Sequence, residues 1–113
     1  VRVVRNPMAD RTLLTDGERA DLATRLPDWE LAGDQLRRTF TFANFVEAWA
    51  FMAEVAVIAE DLRHHPDWSN SWNRVDMAIT THRLSGTDGA NGAGGLTHLD
   101  VAFAEAVDRL LEP

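Results

Sequence analysis

The stretch from Phe40 to Trp68, "FTFANFVEAWAFMAEVAVIAEDLRHHPDW", decides how this chain folds. It opens as the end of an alternating strand, passes a cap, runs as an apolar-striped helix and stops at a proline. Asn44, with Glu47 three residues on, is a helix N-terminus signature. Phe45, Trp49, Met52, Ala56, Ala59 and Arg63 follow one helical track, and Val55, Ile58 and Leu62 widen it. The spacing predicts a helix over residues 43 to 64. Phe51 lies off that track, so two buried faces are expected, one on a sheet and one on a partner subunit. Pro66 cannot continue a helix, which places His64 and His65 at its C-terminal end.

Upstream, "TDGERADLATRL" (residues 15 to 26) reads as a helix capped by Thr15 and Glu18, with Leu22, Ala23 and Leu26 as its apolar face. Pro27 ends it. Trp29 and Leu31 then alternate with polar neighbours, and Gly33-Asp34 signals a turn. Leu36, Phe40 and Phe42 share one face of a second strand, interrupted by Arg38. Downstream, "DWSNSWNRVDMAITTH" predicts a short strand, a turn near Asn70 or Asn73, and a longer strand. There Val75, Met77, Ile79 and Thr81 point one way, and Arg74, Asp76, Ala78, Thr80 and His82 the other. A glycine-rich loop follows at 85 to 95. "LTHLDVAFAEAVDRLL" reads as a closing helix with Thr97 as cap, Asp100 as its acidic capping partner, and a buried face of Ala102, Ala106, Val107, Leu110 and Leu111.

The order is therefore α-β-β-α-β-β-α: a single α+β domain, with a four-stranded antiparallel sheet and helices packed on one face. The chain of 113 residues suits one modest core. Residues 1 to 7 are read as an N-terminal extension outside the fold, with Met8 a possible natural start and 8 to 113 as the domain.

Composition narrows the function. The formal net charge is -7, there is no lysine, and the eleven arginines are scattered, which argues against direct nucleic-acid binding. No apolar run is long enough to span a membrane. The absence of cysteine excludes disulfides and thiolate metal sites and fits a cytoplasmic protein.

The histidines are the candidate chemistry. Two adjacent imidazoles before a proline can serve as a plain cationic helix cap. Successive helical side chains also point about 100° apart, so the two can do different jobs in one pocket. Metal pairs want other spacings. His64, His82 and Asp61 would meet at an ion only if the fold brought them together, so no metal is assigned. The glycines fit neither a dinucleotide nor a P-loop pattern. Trp68 and Trp72 are either edge packing or a stacking wall for a flat heterocycle.

With these residues in view, "FTFANFVEAWAFMAEVAVIAEDLRHHPDWSNSWNRVDMAITTH" closely resembles the pterin-4a-carbinolamine dehydratase family, and "GGLTHLDVAFAEAVD" resembles that family's closing helix. The likeness runs from about Leu14 to Leu111. It implies a hydro-lyase that removes water from 4a-hydroxytetrahydropterin to give quinonoid dihydropterin, without metal or organic cofactor, in pterin recycling. It implies His64 and His82 as acid–base residues and His65 as the residue that positions the pterin. Glu60 would orient an imidazole or touch the pterin. Asp61, Pro66, Trp68, Trp72 and Asp100 complete the implied substrate-binding set, with the helix cap as the other role open to Asp100. Implied partners are the pterin, a second or further copies of the chain as homodimer or homotetramer, and an aromatic amino-acid hydroxylase in the same pathway. The other reading is a non-catalytic dimerisation or assembly module, because relatives also serve as transcription-factor dimerisation partners and assembly factors. Three departures from the family stand out: Trp72 where animal members carry tyrosine, Arg63 where Asp or Asn is frequent, and a glycine-rich insertion at 83 to 95.

Overall fold

The computed structural model describes residues 10–82 and 94–113. The extension 1–7, Met8 and most of the glycine-rich insertion lie outside the described residues. Seven elements follow in the expected order: α1 (Asp16–Arg25), β1 (Glu30–Ala32), β2 (Gln35–Thr41), α2 (Phe45–Leu62), β3 (Asp67–Ser71), β4 (Arg74–Ile79) and α3 (His98–Leu110). The four strands form one antiparallel sheet in the order β1-β2-β4-β3. Gly33 turns the first hairpin at φ 62°, a conformation that costs glycine nothing.

The strand period decides which face is covered. Leu36 and Phe40 on β2, and Val75, Met77 and Ile79 on β4, are buried together with residues of the helices. The alternate residues Arg37, Thr39, Asp76 and Ala78 line an open cleft on the other face. Arg38 breaks the apolar pattern of β2 because it has partners on the helical side. Its guanidinium lies 4.7 Å over the Phe40 ring, and Nη1 donates to Asp108 of α3 at 2.7 Å. Trp29 Nε1 donates to the same carboxylate oxygen at 2.8 Å. The half-buried arginine thus contributes both packing and a charge-assisted bond.

Helix faces were the least accurate part of the sequence reading. On α2 the buried face is Ala48, Phe51, Val55 and Ala59. Phe51, the residue off the expected track, contacts Phe40 and Phe42 at ring distances of 4.7 and 5.0 Å. Phe45 and Trp49 instead stack on one another in solvent, 44% and 59% exposed. A helix rich in apolar residues all round carries little phase information, so the longest track need not be the inner one. On α3 the buried side chains are Leu99, Asp100, Val101, Phe103, Ala104 and Val107. Ala102, Ala106 and Leu110 are half-buried and Leu111 is exposed. Ala23 of α1 is exposed as well, leaving Leu22 and Leu26 in the core.

Candidate active site

The α2 helix ends earlier than Pro66 alone requires. Arg63 adopts a left-handed conformation (φ 52°, ψ 45°), and its N–H and that of His64 turn back to Glu60 O and Ala59 O. This Schellman-type ending normally uses glycine, so an arginine there carries strain of about 1 kcal/mol. The consequence is positional. The His64 backbone helps close the helix, while the His64 and His65 side chains stand beyond it on the chain that turns into β3.

His64 turns inward and is 7% exposed. Its Nε2 lies 2.5 Å from Asp100 Oδ1, and its ring meets the edge of Phe103. Asp100 is fully buried at the first turn of α3. Its Oδ2 accepts from the Thr97 N–H at 2.7 Å, and the Thr81 and Thr97 hydroxyls lie 3.0 and 3.2 Å away. A carboxylate with this set of donors holds Nε2–H of His64 as the protonated ring nitrogen. Nδ1 makes no hydrogen bond among the described residues, and no buried side-chain nitrogen or oxygen there lacks a partner.

His65 turns outward, with Nε2 2.6 Å from Glu60 Oε2 across the helix ending. His82 lies just past β4, with Nε2 2.9 Å from Asp67 Oδ2 at the start of β3. Both pairs are largely exposed. The His82 segment is held by paired hydrogen bonds between Thr81 and Gly95 at 3.0 and 2.8 Å. Gly94 makes that approach possible, since a Cβ there would lie 2.0 Å from the Thr81 carbonyl oxygen.

These pieces line one open cleft of about 230 Å³: Arg11, Arg63, His64, His65, Thr80, Thr81 and His82. The fold thus brings together all three histidines picked out in the sequence, with Glu60 and Asp100 as carboxylate partners of two of them. Asp61 and Pro66 are half-buried beside the cleft but do not line it. Trp68 packs against the core on the helical side of β3 and lines the second cleft, on the sheet. Trp72 is exposed at the tip of the β3–β4 hairpin (φ 50°), the opposite end of those strands from His82. Neither tryptophan lines the histidine cleft within this chain. Among the described residues, no group of three or more His, Asp or Glu side chains is placed to hold a metal ion.

Sequence reasoning missed Arg11, Thr81 and Asp67. Asp67 was within reach of it, because antiparallel pairing of Asp67 with Ala78 puts its carboxylate near the chain leaving β4. Arg11 gave no signal, since a lone arginine before a helix is ordinary.

The comparisons with known proteins bear on the family. Residues 12–110 match the family model for pterin 4 alpha carbinolamine dehydratase. A protein of Rhizorhabdus wittichii, provisionally named pterin-4-alpha-carbinolamine dehydratase, is 52% identical over 101 residues, covering 88% of this chain and 95% of its own. A Synechococcus protein with the same provisional name is 43% identical over 99 residues, covering 88% and 97%. The crystal structure of a transcriptional coactivator/pterin dehydratase from Brucella melitensis superposes with a TM-score of 0.75 at 32% identity, covering 89% of this chain and 100% of that one. The chain belongs to the pterin 4-alpha-carbinolamine dehydratase family.

Proposed function

We propose that this protein eliminates water from a 4a-hydroxytetrahydropterin to give the quinonoid dihydropterin. The observation that supports this most is the meeting of three imidazoles at one cleft, one of them locked onto a buried carboxylate. In the reaction the C4a–O bond breaks with its electron pair on oxygen, and an acid supplies the proton that lets it leave as water. A base takes the proton from N5, and the freed electron pair forms the C4a=N5 bond. One proton is taken up and one released, with no net oxidation.

His64 suits the base. Its Nε2 is held by Asp100, which orients the ring and would leave Nδ1 to take the proton. His82, at the other side of the cleft mouth and exposed to solvent, suits the acid that protonates the departing hydroxyl. His65, oriented by Glu60, would hold the flat ring between them. Acid–base help of this kind contributes about 10²–10⁴-fold each. Asp61, Pro66, Trp68 and Trp72 are proposed as pterin contacts only through the family resemblance. An aromatic amino-acid hydroxylase in a cytoplasmic recycling route is the source of substrate that this reading implies.

A second feature favours assembly with other chains. Val46, Trp49 and Val57 on the outer face of α2 are 74%, 59% and 64% exposed, an unusual apolar load for a lone small domain. A homodimer or homotetramer that covers this face fits it, and so does the alternative of a dimerisation or assembly role. No helix among the described residues is long and apolar enough to cross a membrane. The enzyme reading is tested by rapid-mixing ultraviolet absorbance of freshly generated 4a-hydroxytetrahydropterin. Wild type should speed its loss and His65→Ala should speed it less. A wild type that adds nothing to the spontaneous rate sinks the reading in favour of protein binding.

A further inference from the structure

Of the four histidines, His98 is the one the proposed reaction does not use. It is the first residue of α3 and does not line the cleft. Its Nδ1 lies 3.0 Å from the Thr12 carbonyl oxygen, and its Nε2 lies 2.6 Å from Glu18 Oε2. The carbonyl and the ionised carboxylate both accept, so the ring makes both bonds at once only as an imidazolium. The His98 backbone N–H donates to the same Thr12 carbonyl at 3.1 Å. Glu18 is also occupied at its other oxygen, which accepts from the Thr15 N–H in the cap of α1 at 2.8 Å. One cation therefore ties together the start of α3, the start of α1 and the segment 10–14. That segment lies against residues 96–98 through the Leu13–Thr97 bridge and a Leu14 N–H to Leu96 O bond of 3.0 Å.

The residue before Thr12 is Arg11. Its Nη2 donates to the Arg63 carbonyl at 2.8 Å, at the ending of α2, and its side chain lines the histidine cleft. We propose that His98 is a positioning residue: as an imidazolium it pins the 10–14 segment and so holds the Arg11 guanidinium at the rim of the cleft, where it meets the electron-rich edge of the bound ligand. The nature of that ligand rests on the dehydratase reading; the coupling of His98 to Arg11 does not.

The physical reason is the donor count. A neutral imidazole has one N–H for two acceptors, so loss of the proton turns one hydrogen bond into a contact between lone pairs. Among the described residues the charged groups that face the ring are Glu18 of α1 and, 3.6 Å from Nδ1, Asp10 of the N-terminal segment. Both are acidic and both favour the imidazolium. The pKa of His98 is accordingly raised, chiefly by its hydrogen bond to Glu18 and against the opposing effect of burial.

The test follows the His98 ring and the Arg11 Nε–H by NMR on the full ¹⁵N-labelled chain as pH rises. The expected result is one common midpoint, above the ordinary histidine value, and no Arg11 transition in that range in His98→Gln. An Arg11 signal that stays flat while His98 titrates overturns the proposal, as does an unchanged Arg11 transition in His98→Gln. Should that variant not fold, Glu18→Gln keeps an acceptor but removes the charge, and both midpoints should fall together. A fall in the His98 midpoint alone overturns the proposal. In turnover, KM for the hydroxytetrahydropterin should rise above the same midpoint while kcat changes little. A wild type without dehydratase activity would refute the function and leave the NMR result to judge the coupling.

Discussion

His64 and His65 follow one another in the chain, and each is paired through Nε2 with a carboxylate, at 2.5 and 2.6 Å. The settings differ. The His64–Asp100 pair is sealed under α3, with side chains 8% and 0% exposed, whereas His65–Glu60 stands in water at 64% and 77%. Similar distances therefore describe different energetics. In the sealed pair, removing one member strands the other along with the donors around it. In the open pair, water replaces whatever is lost. The buried pair can fix a tautomer, while the exposed pair can only bias an orientation. The same contrast separates His64 from His82, whose partner Asp67 is exposed.

The largest effect expected from this contrast is in turnover: His64→Ala should lower the enzyme-catalysed rate by about 10²–10⁴-fold in the rapid-mixing assay. Asp100→Ala should cost about 3–5 kcal/mol in urea unfolding, since it leaves His64, the Thr97 N–H and a hydroxyl without their acceptor. Arg63→Gly should go the other way and stabilise the fold by about 1 kcal/mol, because glycine removes the left-handed strain ahead of the histidines. Glu60→Gln marks the small end, with a melting temperature indistinguishable from wild type.

A third imidazole pairing, His98 with Glu18, sharpens the comparison through pH. The raised pKa of His98 means that its contribution to stability is present in acid and is lost as pH rises through the folded value. The carboxyls of Glu18 and Asp10 are lowered, chiefly by bonds from Thr15 and Thr12 respectively, so their contributions are present near neutrality and are lost as pH falls through their folded values. The melting temperature should therefore peak between the two limits. His98→Gln should remove the alkaline decline in that window, as read by thermal unfolding across pH.

Much of this was legible in the sequence for identifiable reasons. Caps at Thr15, Asn44 and Thr97 and breakers at Pro27 and Pro66 punctuate the elements locally, and the strand period of two assigns the faces of β4 from Val75 to Ile79. The phase of α2 was not legible, because its apolar residues encircle it and only the fold chooses Phe51 over Trp49. In the site, the histidines announced themselves as a cluster before a proline. Their partners did not: Asp100 is 36 residues from His64 and reads equally well as a cap residue, which it also is. The left-handed turn at Arg63 was hidden too, since glycine is the usual signal for it.

The most direct measurement compares Asp100→Asn with Glu60→Gln in single-turnover dehydration, alongside wild type. Both substitutions are near-isosteric and remove one carboxylate charge beside one histidine. The sealed pair should matter far more, with a loss of about 10²-fold or greater in Asp100→Asn and little change in Glu60→Gln. Equal losses, or a larger loss at Glu60, would contradict the assignment of His64 and its buried carboxylate as the centre of the chemistry.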